Sequence, residues 1–308
     1  MAEQGSNLIK LFGDREELLR EGSFSEEEVA AVVAALYRDA INEINEIDEM
    51  ASRGNEKKAL ARIRKLVERN EGYLADDAGL LQLSLGFNFE VPVFMRMYQD
   101  ELKGRQVVNL PVPLDLMYTL EGNILQSLGR DDEALEVLQK ARRMNPLSQL
   151  PFAPMNQIYM EKRDEEAWLR NIREEASSIY RDGVCEAFGE LAFYLGLHKE
   201  YEKAHACVKY VLDHTLQQDV DDRYSDLYEF LDSHLEVEPA DFGAVCREYG
   251  LPEGPDPKVI AVLQDVAHSS RMEEDWETAQ ETYELLAELT ESAEYQEEAE
   301  AMAAKLDD

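Results

Sequence analysis

The sequence predicts an all-α chain built from successive antiparallel helix pairs. Three observations predict it. Apolar residues recur at three- and four-residue steps in segment after segment, which is the period of a helix with one buried face. Glycines, prolines and short polar turns fall between those segments rather than inside them. Paired segments also recur along the chain, with starts near residues 40, 74, 115, 148, 185, 222 and 260.

The elements follow in order. Residues 7–21 can form a short helix carrying Leu8, Leu11, Leu18 and Leu19, ended by Gly22. Ser25 followed by Glu28 is a capping box ahead of the run VAAVVAAL. The helix it opens runs through Ile41, Ile44 and Ile47 to Arg53, either unbroken or kinked, and Gly54 closes it. Lys57 to Asn70 forms the next helix, burying Ala59, Leu60, Ile63, Leu66 and Val67. Residues 74–104 read as an aromatic-rich helix pair, Asp76–Phe87 and Val91–Lys103, and LPVPLD at 110–115 as a stiff extended connector.

The stretch 115–148 is the clearest pair. Leu116, Leu120 and Ile124 mark its first helix, and Ala134, Leu135, Leu138 and Ala141 its second. Gly129 stops the first, Asp131 is placed to cap the second, and Pro146 ends it. In the next pair Pro151 and Pro154 disturb the first turn, and Ala167 is the small residue. Residues 185–218 then repeat the pattern with Phe188, Leu191, Ala192, Leu195, Ala204, Val208 and Val211. Residues 222–235 and 239–249 form a divergent pair. Asp256 caps a helix with Pro257 at its first position, opening the pair at 260–293. An acidic helix near the C-terminus, 294–308, covers the end of the stack.

The residues Gly122, Gly129, Ala134, Leu138, Ala141 and Pro146 resemble the tetratricopeptide repeat at that family's spacing. Gly54 and Ala59 repeat two of those positions near residue 40, and Ala192 and Ala204 match the small-residue positions near 185. The resemblance implies a right-handed α-α superhelix, a solenoid of antiparallel helix pairs over 25–293, with 1–24 as an N-terminal segment. It also implies a concave groove lined by the first helix of each pair. The groove positions are then Thr119, Asn123 and Gln126; Phe152, Asn156 and Tyr159; Glu186, Glu190 and Phe193; and Gln264, His268 and Arg271. Relatives that bind acidic chaperone C-termini clamp a carboxylate with Lys, Arg and Asn. Here Asn123 matches, but Thr119, Glu186 and Glu190 stand where cations would be. The implied partner is therefore a neutral, hydrophobic or basic protein segment.

Charge supports that choice. Asp and Glu total 66 against 31 Lys and Arg, a net of −35. Nucleic acid and anionic membrane surfaces are poor partners for such a chain, since both need phosphate neutralised by cations. From Asp219 onward there are 27 acidic and 5 basic residues, so the C-terminal part carries most of the excess. A basic face is the exception: Lys58, Arg62, Lys65 and Arg69 share one side of a helix. It is a docking face for an acidic partner or a solvated face, and the second reading is the plainer one. Three scattered cysteines read as reduced core thiols. No secretory leader and no run of 18 apolar residues occurs, so the expectation is a cytoplasmic protein.

Signatures of chemistry are sparse. No phosphate-binding glycine loop or nucleophile elbow is found, and no histidine pair has metalloprotease spacing. DVDDRYSD at 219–226 resembles a calcium loop, but Arg223, Tyr224 and Phe230 occupy the fifth, sixth and twelfth positions, so it reads as a polar inter-helix loop. No cofactor is expected. The function expected is a binding scaffold, not an enzyme. The rivals are an all-helical glycosidase-like toroid with acidic catalytic groups and a regulator whose pitch changes on binding a peptide.

Overall fold

A computed structural model describes residues 26–215 and 218–306. The helix read over 7–21 and the Ser25 cap lie outside the described residues. Fifteen helices and one two-stranded sheet are present among the described residues, and many helices pack on the helix next to them in the chain within the same compact unit. No helix among them is long and apolar enough to cross a membrane. The chain divides into two compact units, residues 26–87 with 98–146, and residues 88–97 with 147–306.

The first unit opens with α1 (Glu26–Ser52), a single helix of 27 residues. Over 31–52 its buried positions are Ala40, Ile44 and Ile47, on the helix that packs on α2 (Glu56–Glu71). Gly54 makes the turn at φ +80°, a backbone that glycine adopts without cost. Beyond α2 the structure departs from the expected helix pair at 74–104. Leu80–Leu83 is a strand, β1, and Gln106–Asn109 is its parallel partner, β2. Between them lie α3 (Glu90–Met97), which belongs to the second unit, and the single turn α4 (Gln99–Leu102).

Side-chain bonds tie the ends of this short ladder. Asn109 Oδ1 accepts from Leu85 N at 2.8 Å, and Gln82 bonds both backbone groups of Ala75. Four-residue strands are too short to show a period-2 pattern clearly; β1 falls within the helix expected over Asp76–Phe87, and β2 lies between the expected helix pair and the connector at 110–115.

Next come α5 (Leu114–Ser127) and α6 (Asp131–Met144). Leu120, Ile124, Ala134, Leu138 and Ala141 are buried. Gly122 is needed for the close approach, since a Cβ there would lie 2.5 Å from Leu138 Cγ. Gly129 turns the chain at φ +69°. Asp131 is the first helical residue rather than the cap, and no side-chain cap bond forms at Arg130 before it. Its charge still suits the positive helix end.

In the second unit, α7 (Phe152–Lys162) follows Pro151 directly. Pro151 and Pro154 begin this helix rather than disturb it, because first-turn N–H groups have no intrahelical acceptor to lose. The chain continues as α8 (Glu165–Glu175), α9 (Arg181–Leu197), α10 (Tyr201–His214), α11 (Gln218–Asp232) and α12 (Phe242–Tyr249). It ends with α13 (Pro257–Met272), α14 (Trp276–Thr290) and α15 (Ala293–Leu306). Asp256 caps α13 by accepting from Lys258 N, with Pro257 at the first position.

The core of α9 and α10 is the apolar set read from sequence. Phe188, Leu191, Ala192, Leu195, Ala204, Val208 and Val211 are fully buried. Segment α3 packs on α13, burying Val93 and Phe94, with Arg96 paired to Asp265 and donating to Ser269 Oγ. Cys185, Cys207 and Cys246 are buried free thiols.

Candidate peptide-binding face

The groove positions do not share one environment. Thr119, Asn123 and Gln126 lie on α5 in the first unit, and the others lie in the second. Thr119 is buried, and its hydroxyl donates to the Asp115 carbonyl at 2.8 Å, as a threonine inside a helix commonly does. Asn123 is exposed and Gln126 half-buried.

Phe152 and Asn156 are also withdrawn from solvent. Asn156 is fully buried: its amide donates to Glu175 Oε2 at 3.0 Å and its carbonyl accepts from Asn171 at 2.7 Å. Asn171 donates to the Phe152 carbonyl as well. Asn156 therefore fastens α7 to α8 and presents no amide to a ligand. Tyr159 is half-buried. Gln264, His268 and Arg271 are exposed on α13, where Gln264 meets Tyr295 and Arg271 pairs with Glu298 at 2.6 Å, both from α15.

The basic face is partly matched from within. Arg62 pairs with Glu46 at 2.6 Å and Arg69 with Glu43 at 2.8 Å, both on α1. Lys58 and Lys65 are exposed and have no ion pair among the described residues. That pattern fits a solvated face with internal pairs better than a built docking site.

Glu186, Glu190 and Phe193 do come together, and two residues of α11 complete the group. Positions 186, 190 and 193 share one face of α9 because they are four and three residues apart. Tyr224 of α11 donates to Glu186 Oε2 at 2.9 Å. Arg223 lies 3.4 Å from Glu190 Oε1 and 3.6 Å from Glu186 Oε2, and its guanidinium sits 4.9 Å from the Phe193 ring centre. Tyr224 is buried, whereas Arg223 and Phe193 remain accessible.

The electrostatics follow from depth. Burial pushes the Glu190 carboxyl above the usual carboxylate range, the Arg223 charge pulls it back, and neighbouring Glu186 raises it again. Burial raises the Tyr224 phenol likewise, with Glu186 adding to the effect. The result is a surface of two carboxylates, one guanidinium and one aromatic ring, held by bonds between two helices. It can accept hydrogen bonds from backbone N–H groups or cations and stack against a flat side chain.

Arg223 and Tyr224 lie outside the groove set that the resemblance implies, although 222–235 reads as one of a helix pair; the whole of 219–226 belongs to α11 rather than to an inter-helix loop. The signal was present: Tyr224, Leu227 and Leu231 recur at helical steps.

The chain matches no protein-family model, and no curated protein is significantly similar to it.

Proposed function

We propose that this protein is a tetratricopeptide-like binding module that recognises a segment of another protein with the face formed by α9 and α11. The supporting observation is the convergence of Glu186, Glu190 and Phe193 with Arg223 across two helices that are not consecutive in the chain. α10 lies between them in sequence and packs on both. Presenting a surface through alternate helices is how stacked helix pairs form a recognition groove. The fixed side chains need little ordering on binding, which favours passive recognition over chemistry. The tetratricopeptide resemblance and a superhelical arrangement of the pairs belong to this same proposal.

The test is site-specific photo-crosslinking. A benzophenone amino acid replaces Phe193 in one preparation and the exposed Leu306 of α15 in another, and each is irradiated in lysate of the native host. A discrete protein adduct at 193, absent at 306 and lost on adding Arg223→Ala, is the expected result. No adduct, or the same adducts at both positions, overturns the proposal.

A further inference from the structure

Helices α9 and α11 run in the same direction. A Cβ on Gly189 would lie 2.1 Å from Tyr224 Oη, and one on Gly196 would lie 4.0 Å from Leu231 Cδ2. Both partners advance by seven residues, so the two helices keep a common register over two turns. Glu190 and Arg223 meet across that register, oxygen to nitrogen, at 3.4 Å. Seven residues further along each helix stand Leu197 and Phe230. They keep to the same sides. Positions 186, 190, 193 and 197 are four, three and four apart on α9, and positions 223, 227 and 230 are four and three apart on α11.

Both residues are open to solvent, Leu197 at 64% and Phe230 at 48%. Single exposed apolar residues are ordinary, but here two stand at matched places on the two helices of one face. Phe230 is also held in place. Tyr201 of α10 meets its ring edge-on at 6.2 Å between centres, and His234 lies against it at 4.3 Å. Leu227, half-buried, falls between Arg223 and Phe230 on the same stripe. The face therefore changes character along its length, from Glu186, Glu190 and Arg223 to an apolar step. The surrounding chain is acidic: residues 224–246 contain six Asp or Glu and no Lys or Arg.

We infer that the apolar step of Leu197 and Phe230 takes a bulky apolar side chain of the bound protein segment, whose basic residue lies against Glu186 and Glu190. The inference rests on the reading of the α9–α11 face as a recognition surface. Two helical turns, about 10 Å, separate the two places. An extended chain covers that length in three residues of ~3.3 Å each. The segment thus carries Lys or Arg and, three positions away, Leu, Met or Phe. A docked helix would need seven positions and an apolar stripe along its whole contact, and this face is polar at one end. The acidic surround selects a basic segment over an acidic one, since like charges brought together oppose binding.

The experiment uses the full chain and a random dodecapeptide library displayed on phage. Enriched sequences are synthesised with a fluorescein label, and their affinity is read by anisotropy. The expected consensus has Lys or Arg three positions from Leu, Met or Phe. Changing that apolar residue to serine should weaken binding about tenfold, and Phe230→Ser should do the same. The two changes together should cost little more than either alone, because each removes the same contact. Leu197→Ser, at a side chain outside the ring contacts of Phe230, is the variant to use if Phe230→Ser unfolds. Losses that multiply, or a consensus without the apolar residue, overturn the inference but leave the recognition face standing where Arg223→Ala still alters binding. An apolar residue seven positions away overturns the extended form. No enriched peptide, or peptides that bind Arg223→Ala, Phe230→Ser and the parent alike, overturns both readings.

Discussion

Gly189 of α9 lies directly against the phenol of Tyr224: a Cβ built on it would come within 2.1 Å of Tyr224 Oη and 2.4 Å of Cζ. Tyr224 is fully buried and cannot swing aside freely. Gly189→Ala should therefore destabilise the chain by about 1–3 kcal/mol through overpacking, offsetting the gain of up to ~1 kcal/mol in helix propensity. A lower denaturant midpoint in urea is the expected reading, and a raised midpoint would refute the contact.

The Asn156–Asn171–Glu175 network makes a second case. Glu175 is buried, and Asn156 supplies one of its donors at 3.0 Å. Asn156→Ala should cost about 1–3 kcal/mol, since the carboxylate stays buried and loses a donor. Asn156→Asp should cost more at neutral pH and recover as pH falls, because two buried carboxylates cannot both ionise cheaply. Chemical denaturation at two pH values checks both statements.

His205 should make stability depend on pH. It is buried, neither ring nitrogen has a hydrogen-bond partner, and Asp232 Oδ1 is 3.7 Å away. Burial holds its pKa below the ordinary value; Asp232 opposes that and Lys209 adds to it. The unfolded histidine takes up its proton near pH 6.5. Above that pH both states are neutral and the term vanishes. As pH falls below it, the unfolded state binds the proton first and stability drops. The slope of stability against pH in this range should be shallower in His205→Phe than in the parent.

Arg223 should govern the ionisation of Glu190. Its charge lowers a carboxyl that burial otherwise raises. In Arg223→Gln the Glu190 titration, followed by carbon NMR of the carboxyl, should move to higher pH. A shift to lower pH would mean that the pair is not formed in solution.

The cysteines should be inert in the folded chain. Burial pushes the Cys185 and Cys246 thiols up to about 12, and raises Cys207 further still. Ellman's reagent should find no fast-reacting thiol in the native protein and all three in guanidinium.

What could be read from sequence divides along physical lines. Long helices declare themselves through apolar spacing: Leu138, Leu191 and Val208, read from that spacing, are all in the core. The strands at 80–83 and 106–109 did not, because four residues hold too few periods and their pairing joins residues 26 apart, as Leu80 and Gln106 are. Polar positions were legible as positions and not as environments. Asn156 and Glu190 were both placed on inward-facing helix sides, yet one is locked to Asn171 and Glu175 while the other opens beside Arg223. Only the packing of neighbouring helices separates the two, and that depends on α8 and α11, whose contributions no local spacing reveals.

The interleaving of the chain has a consequence for how such a protein could arise. Residues 88–97 belong with 147–306, while the sequence on either side of them belongs with the first unit. Joining two ancestral genes end to end yields two contiguous halves and cannot produce this order in one step. A stop or a cut at residue 146 likewise fails to separate the units, because the second would lose α3 with Val93 and Phe94, both part of its interior. The two units are thus inherited together: neither can be copied, lost or exchanged as an uninterrupted stretch of coding sequence.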